Sequence, residues 1–251
     1  MPDRAAVVAG FCRAAATYAD HAVAQARAAD ALMALAPPSA ATVLDCGCGT
    51  GLFTRRLRTR YPAARLVAFD AARPLVVRAI AAGAGGGFVA DAACPPLRAA
   101  FDLIGANAVL HWLPDPATVL ARYRTLLAPG GTLLFAAFGP RTFCELGDAL
   151  AAVCGPRCRV AAAAFPDAEH WRLALRAAGF APWLDVQEWR EEFPDLLALL
   201  RRIKYTGTRG PGLPGMTMTH ALLQRIEQCY RDRQAGLIPA TWQVVLCRAA
   251  R

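Results

Sequence analysis

The stretch VLDCGCGTGLF, residues 43–53, places Gly47, Gly49 and Gly51 directly behind an apolar run that ends in Asp45. Glycine has no Cβ, so it enters left-handed turns without strain and lets a ligand lie against the backbone. The apolar run predicts a buried strand, and the turn leads into a helix whose N-terminal amides can bind a polar or anionic group. The stretch therefore indicates a site for a nucleotide-like ligand, with a purely structural turn as the alternative.

Strands and helices alternate along the rest of the chain. Apolar runs predict strands at 41–46, 65–70, 86–91, 101–110, 131–139, 182–191 and 240–248. Helical spacing predicts two helices within 4–35, with a break near residues 17–18, and helices at 52–60, 74–82, 118–128, 141–178, 194–204 and 219–233. This order predicts an α/β, doubly wound, Rossmann-like fold in which a mostly parallel seven-stranded sheet binds its ligand at the C-terminal ends of its strands.

The chain of 251 residues can bury the core of a single domain. In its lid, residues 206–217 contain four glycines and two prolines, which predicts a loop. We expect the domain to comprise N-terminal helices at 1–37, a cofactor-binding core at 41–139, a helical lid with the sixth strand at 140–238, and the final strand at 239–251.

The chain has a formal net charge of +9, with 28 Lys and Arg residues against 19 Asp and Glu, and Lys204 is its only lysine. This surplus indicates either an ordinary solvated surface or an acidic partner. The sequence has no aromatic RNA-binding motif, zinc finger or basic helix, so nucleic acid is not the expected partner. No uncharged apolar stretch approaches the ~20 residues of a membrane helix, and the first residues lack a secretory signal, so we expect a cytoplasmic protein that does not enter membranes.

The nine cysteines form an odd set without the spacing of a disulfide scaffold, which favours free thiols. The pairs Cys46/Cys48 and Cys154/Cys158 have no second pair of Cys or His residues nearby. A structural zinc module needs such a second pair, so no metal site is expected.

Acidic residues close three successive predicted strands. Asp70 ends the second strand, 19 residues past Gly51, where a carboxylate can accept hydrogen bonds from both hydroxyls of a ribose. Asp91 ends the third strand, where it can contact an adenine amino group, and Asp45 precedes the glycine turn, where it can receive an ammonium group. A nicotinamide dinucleotide site would also need an acid at the position of Asp70. Such sites rarely need a third acid, so the set of three acids argues against a dinucleotide.

With the Pro-Gly-Gly turn before the fifth strand, residues 41–139 resemble the class I S-adenosylmethionine-dependent methyltransferases. The resemblance implies S-adenosyl-L-methionine as cofactor. In that family, the counterparts of Asp45 and the three glycines shape the methionine pocket, that of Asp70 the ribose site and that of Asp91 the adenine site. The expected cofactor-binding residues are Asp45, Gly47, Gly49, Gly51, Asp70, Asp91, Ala92, Asn107 and Trp112.

The segment FCRAAATYADHAVAQARAADAL at 11–32 is similar to the opening of the malonyl-acyl-carrier-protein O-methyltransferases of biotin synthesis. GANAVLHWLPD, FAAFGPRTFCEL, IKYTGTRG and PATWQVVLC follow in the family's order, so the resemblance covers nearly the whole chain. It implies methylation of the free carboxylate of malonyl-acyl-carrier protein or malonyl-CoA. The positive net charge of the chain would attract an acidic carrier protein. The lid departs from the family's pattern at residues 204–208.

A malonyl carboxylate has a pKa comparable to or lower than the ~3.9 of Asp, so it arrives as a ready nucleophile and no catalytic base is needed. We expect Tyr18, Arg141 and Lys204 to be the catalytic residues that hold it. Arg141 is favoured because a guanidinium can bind both carboxylate oxygens. Further candidate holders are His21, Asn107, His111, Trp112, Arg201 and Arg202, and for His111 the alternative is a buried group with satisfied hydrogen bonds.

Two other functions are compatible with the residues. One is a methyltransferase of the same fold that acts on a small free acid, in the manner of the aconitate O-methyltransferases. The other is a non-catalytic adenosyl-binding protein that has kept the pocket and lost the acceptor site. Dependence on a carrier protein would separate the first from the favoured function, and any methyl transfer would exclude the second.

Overall fold

The computed structural model describes residues 4–14, 17–98, 100–206 and 219–251. The strands are β1 (Thr42–Cys46), β2 (Arg65–Asp70), β3 (Gly86–Val89), β4 (Phe101–Asn107), β5 (Leu127–Phe138), β6 (Ala181–Phe193) and β7 (Ile238–Ala250). The helices are α1 (Arg4–Ala14), α2 (Tyr18–His21), α3 (Val23–Ala34), α4 (Leu52–Arg60), α5 (Arg73–Ala81), α6 (Pro116–Leu126), α7 (Cys144–Cys154), α8 (Ala168–Ala177), α9 (Leu196–Tyr205) and α10 (His220–Arg233).

The seven strands form one sheet in the order β3-β2-β1-β4-β5-β7-β6. Strands β1 to β5 pair in parallel, whereas β7 runs antiparallel to both β5 and β6. The predicted doubly wound, mostly parallel seven-stranded sheet is therefore confirmed. The strand order reverses between β1 and β4, and ligands of such sheets bind at this point, beyond the C-terminal ends of the strands.

The core lies on both faces of the sheet, because neighbouring residues of a strand point to opposite faces. Leu134 belongs to the hydrophobic cluster that includes α3, α4, α7, α9 and α10, while Leu133 belongs to the cluster beneath α6 and α8. Both side chains are fully buried, as expected for a parallel sheet covered by helices on both faces.

Several boundaries differ from those predicted by the sequence. The N-terminal region forms three helices rather than two, because the short α2 separates α1 from α3. The region 141–178 is not continuously helical: α7 ends where Gly155 takes a positive φ of 97° before Pro156, and a 3-10 turn at Ala161–Ala164 precedes α8. Strand β4 is shorter than predicted, since Ala108 has a positive φ of 58° and turns the chain away.

The region 140–238 supplies more than a lid. Its strand β6 is the edge of the sheet, and α8 packs against both α6 and β6. Helix α9 packs on α2, so this part of the region covers the N-terminal segment. The loop predicted at 206–217 lies, apart from Thr206, outside the described residues. Within the described ranges, none of the helices is long and apolar enough to cross a membrane.

Candidate cofactor and acceptor site

All three glycines of the turn after β1 have left-handed backbone conformations, with φ values of 63°, 52° and 83° at Gly47, Gly49 and Gly51. A Cβ at Gly47 would collide with the side chain of Val109, and one at Gly51 with that of Ala82. At Gly49 a Cβ would meet nothing within 4 Å. Gly47 and Gly51 thus permit close packing, whereas the backbone at Gly49 borders open space.

That open space is a cavity at the C-terminal edge of the sheet that is open to solvent, and about 820 Å³ of space, part of it solvent outside the walls, belongs to it. Its walls come from the glycine turn, from the ends of β2, β3 and β4, and from α1 and α2. The lining residues are Val8, Phe11, Tyr18, Gly47, Gly49, Asp70, Ala71, Leu75, Ala90, Asp91, Ala92, Asn107, Ala108, Val109, Trp112 and Leu113. Although the chain has a net charge of +9, none of these described lining residues is Arg, Lys or His, and two are aspartates.

Asp70 is held firmly at the end of β2. Its Oδ2 accepts a hydrogen bond from the Gly49 N–H at 3.0 Å, and its Oδ1 accepts one from the Ala72 N–H at 2.9 Å. Burial raises the pKa of this carboxyl, and the two N–H groups partly offset the effect. Each oxygen keeps a lone pair for a hydroxyl group.

The wall beyond β3 is fixed by a hydrogen-bonded turn. Asp91 Oδ1 accepts a hydrogen bond from the Ala93 N–H at 2.8 Å. The Ala92 carbonyl accepts one from the hydroxyl of Tyr123 at 2.7 Å, and the thiol of Cys46 lies 2.6 Å from that same hydroxyl. Tyr123 on α6 thus anchors this wall to the core.

Asp45 lies beneath the glycine turn and does not line the cavity. Its Oδ2 accepts a hydrogen bond from the Thr54 hydroxyl at 2.5 Å, while its Oδ1 is buried without a partner among the described residues. Burial raises the pKa of this carboxyl to about 7. Gly51, the N-cap of α4, likewise supports the turn from behind.

Asn107 and Trp112 form the wall on the β4 side. Asn107 Nδ2 donates a hydrogen bond to the Gln25 carbonyl at 3.0 Å, while its buried Oδ1 has no partner among the described residues. The Trp112 ring packs edge-on against Phe165 at 4.9 Å and against Phe11 at 6.3 Å between ring centroids. Phe11 belongs to α1, so the N-terminal helices complete the cavity.

Tyr18 lines the cavity from α2, and its ring centroid lies 6.3 Å from that of Phe11. Burial, together with the negative charge of Asp70, raises the pKa of its hydroxyl, which therefore stays protonated and can donate a hydrogen bond. The neighbouring His21 stacks on Tyr205 of α9 with 4.8 Å between ring centroids. This contact joins the N-terminal segment to the lid.

The structure does not bring Arg141 to the cavity. Its Nε donates a hydrogen bond to Glu188 Oε1 at 2.8 Å, and its side chain is 61% exposed. The sequence predicted its place after β5 correctly but not its partner, which β6 supplies. Lys204 does not line the described cavity either; its Nζ lies 5.7 Å from the ring centroid of Tyr205.

The two adjacent lid arginines have different environments. Arg202 pairs with Glu191 at 2.8 Å between Nη2 and Oε1, and it also lies 5.7 Å from the ring centroid of Phe193. Arg201 is exposed. Arg202 therefore anchors α9 to β6, and of the two only Arg201 presents an open cationic surface.

Two features of the site were difficult to predict from the sequence. Phe11 was visible only as an apolar residue at helical spacing, and nothing in the sequence indicated that it would close the cavity. His111 is fully buried in the 3-10 turn Leu110–Trp112. Its Nδ1 accepts a hydrogen bond from the Phe138 N–H at 3.2 Å, and its Nε2 has no partner among the described residues.

Comparison with known proteins gives three kinds of match. Residues 19–184 match the family described as a methyltransferase domain. A malonyl-[acyl-carrier protein] O-methyltransferase of Laribacter hongkongensis is 35% identical, with 99% of this chain and 90% of that protein covered. One of Methylovorus sp. is 32% identical, with 97% and 87% covered. The solved structure of an S-adenosylmethionine-dependent methyltransferase from Mesorhizobium loti shares the fold with a TM-score of 0.52 at 19% identity, covering 88% of this chain and 96% of that chain.

Proposed function

The chain belongs to the methyltransferase domain family and to the malonyl-[acyl-carrier protein] O-methyltransferases, and from this premise we propose that it methylates the free carboxylate of malonyl-acyl-carrier protein. Its methyl donor is S-adenosylmethionine. The product is the malonyl methyl ester, malonyl-CoA is a second candidate acceptor, and the step serves biotin synthesis. All nine cysteines are free thiols, which supports a reducing, cytoplasmic location.

The charge of the cavity wall is the observation that carries this proposal. S-adenosylmethionine bears a sulfonium and an ammonium against one carboxylate, so it is a net cation. A described wall with two aspartates and no basic side chain, in a chain of net charge +9, attracts such a ligand. A dinucleotide carries a net negative charge, so the two aspartates of this wall favour the cationic methyl donor over the nicotinamide alternative.

The polar groups of the site also fit this methyl donor. We propose that Asp70 binds the ribose hydroxyls and that Asp91 and Ala92 contact the adenine. The methyl donor would lie against the backbone of Gly49. The buried Asn107 Oδ1 and Asp45 Oδ1 lack partners among the described residues, at the ends of the neighbouring strands β4 and β1. An ammonium group close to both would satisfy acceptors that are otherwise costly to bury.

Trp112 closes the cavity on the β4 side, while Gly47 and Gly51 shape the turn from behind. Bound S-adenosylmethionine supplies an electrophilic methyl group. What this chain contributes is alignment and the exclusion of water, because an ionised carboxylate needs no base. Phe11, Tyr18 and Trp112 cover the reacting region with largely apolar surface. A carboxylate oxygen held ~3–3.5 Å from the methyl carbon would be in reacting geometry.

We propose Tyr18 as the acceptor-side residue for which the geometry gives most support, since its protonated hydroxyl lines the cavity. Lys204 adjoins the same region through the contact between Tyr205 and His21, and we propose it as a peripheral cation for the incoming acceptor. Arg141 would have to leave Glu188 to take part. An acidic carrier protein would meet the exposed Arg201 and Lys204 on α9.

The test is a methyl-transfer assay with labelled S-adenosylmethionine and four acceptors: malonyl-acyl-carrier protein, malonyl-CoA, free malonate and trans-aconitate. We expect transfer to the malonyl thioesters, with the carrier protein preferred. Transfer to a free diacid alone would assign the protein to the small-acid methyltransferases. Binding of the donor without transfer to any acceptor would leave a non-catalytic adenosyl-binding protein.

A further inference from the structure

Two buried hydrogen-bond donors beside the cavity have no acceptor among the described residues, Trp112 Nε1 and His111 Nε2, and only the histidine is also held by a second hydrogen bond. His111 Nδ1 accepts the hydrogen bond of the Phe138 N–H at 3.2 Å, so the proton of the neutral imidazole resides on Nε2. The residue has 0% exposure, and its Nε2 has no partner among the described residues. Native proteins rarely leave a buried donor in this state, and one that lies beside a ligand cavity can be satisfied by a group of the ligand.

The surroundings keep this imidazole neutral. Its ring centroid lies 4.5 Å from that of Phe165 and 5.3 Å from those of Phe138 and Trp112. Burial lowers the pKa of His111 to about 3. The side chain is therefore neither a cation nor a ready proton acceptor near neutral pH, and its one available function is to donate the Nε2–H.

The position of His111 selects which ligand this donor can reach. Asp70 and Asp91 follow β2 and β3, so the nucleoside end of the cavity lies at that side of the sheet. His111 follows β4 and is bonded to the end of β5, on the opposite side of β1. Trp112, the next residue, lines the cavity. His111 itself is not among the lining residues. It lies directly behind the wall that Trp112 forms, at the end of the cavity farthest from Asp70 and Asp91, where an acceptor would meet the methyl group.

We propose that His111 is a substrate-positioning residue whose Nε2–H donates a hydrogen bond to the carboxylate of the malonyl group. This inference rests on the function proposed above. In the reaction, a carboxylate oxygen forms a bond to the methyl carbon as the carbon–sulfur bond breaks, and the electron pair of that bond stays on sulfur. No proton moves, and His111 is neutral before and after.

A neutral hydrogen-bond donor suits this chemistry better than a cation. Methyl transfer removes the negative charge of the carboxylate and the positive charge of the sulfonium together. A full positive charge beside the carboxylate would therefore stabilise the reactants more than the transition state and raise the barrier. A single neutral N–H orients the oxygen with less of this penalty, in agreement with the position of Arg141 away from the cavity.

The experiment compares H111N with H111Q. In Asn the side-chain oxygen can still accept the Phe138 N–H in place of Nδ1, but no group reaches the Nε2 position. In Gln an amide N–H can occupy the Nε2 position while the Phe138 contact is lost. We expect H111N to lose about tenfold or more in turnover of malonyl-acyl-carrier protein and H111Q to stay within about threefold of wild type. A purely structural role predicts the reverse order.

Binding of S-adenosylhomocysteine, measured by calorimetry, should be unchanged in both variants, which also shows that they fold. A parallel loss of this affinity would mean that Nε2 contacts the methyl donor, and it would overturn the proposal. W171F is the matched control, since Trp171 is buried with an unpartnered Nε1 on the other face of the sheet and its loss should leave turnover unchanged. Equal turnover of H111N and wild type would overturn the role of His111 alone, whereas inactivity of the wild type on every malonyl thioester would refute the function itself.

The wild-type protein provides a second measurement that does not depend on the folding of any variant. Nitrogen-15 NMR of labelled histidine should show the Nε2-protonated tautomer of His111 in the complex with S-adenosylhomocysteine. Addition of malonyl-CoA to this complex should shift the Nε2 resonance, and acetyl-CoA, which lacks the free carboxylate, should not shift it. An Nε2 resonance unmoved by malonyl-CoA would overturn the proposal.

Discussion

Removal of the Asp70 carboxylate should weaken the binding of the methyl donor more than any other single change in the cavity wall. The geometry offers two ribose hydroxyls one carboxylate oxygen each, and hydrogen bonds to a charged group contribute ~1.5–3 kcal/mol each. Such contributions are not additive, so we take one of them as the lower limit. Asp70→Ala should therefore raise the dissociation constant of S-adenosylmethionine at least tenfold.

The same carboxylate also supports the fold. Asp70 accepts the N–H groups of Gly49 and Ala72, and both lose their partner in Asp70→Ala. Asp102→Ala is the matched control, because Asp102 also accepts two backbone N–H groups, those of Ala41 and Thr42, at the N-terminal end of β4. We expect both variants to be destabilised, whereas only Asp70→Ala should lose affinity.

Isothermal titration calorimetry with S-adenosylhomocysteine, combined with thermal denaturation of each variant, separates the two effects. Wild-type affinity in a folded Asp70→Ala protein would show that the ribose binds elsewhere. Equal losses of affinity in both variants would show that the affinity responds only to stability. Either result would refute the assignment of Asp70.

Four further outcomes are expected. Burial raises the pKa of Asp45 to about 7, and the ammonium proposed to bind beside it would favour the charged form, so affinity for S-adenosylmethionine should rise between pH 6 and about pH 8. Calorimetry across this range should show no such rise for Asp45→Asn. Without ligand the sign is opposite, since a folded-state pKa above the unfolded value of 3.8 makes stability fall as pH rises from about 4 to 7, which denaturant titrations can check. Arg141→Ala should lower kcat/KM less than about tenfold, because the exposed ion pair with Glu188 contributes little. A loss of ~10²-fold or more would show that Arg141 binds the malonyl carboxylate after all. Arg201→Glu should raise KM for the malonyl carrier protein more than for malonyl-CoA, added salt should weaken the difference, and an equal rise for both acceptors would exclude a docking role.

Most of the sheet was predictable because its signals are local. Apolar runs, turns and strand-ending acids are read from neighbouring residues, and α4 and β2 fall within the predicted bounds. The part of the site proposed to bind the methyl donor was predictable for the same reason. In a parallel sheet the residues that end each strand meet at one edge, so Asp70 and Asp91 had to lie close to the glycine turn.

The acceptor side was less predictable because its contacts join distant parts of the chain. Arg141 follows β5 as expected, yet its partner Glu188 is brought to it by the antiparallel pairing of β6 with β7, which no local pattern encodes. Phe11 closes the cavity only because α1 folds back over the sheet. The proton of His111 resides on Nε2 because Nδ1 accepts a hydrogen bond from the Phe138 N–H, and Phe138 is 27 residues away in the sequence.

The net charge of the chain does not predict the charge of this cavity, because the fold places acidic and basic side chains in different regions. The surplus of arginine gives the chain +9, yet the described cavity wall is acidic. Such a wall would repel a malonyl carboxylate that entered first, because two like charges a few ångströms apart in a low-dielectric cavity oppose one another strongly. A cationic methyl donor bound against Asp70 and Asp91 removes this obstacle. In the proposed arrangement the acceptor approaches from the side of β4 and β5, where the Nε2–H of His111 would bind it. The distribution of charge therefore favours binding of the methyl donor before the acceptor.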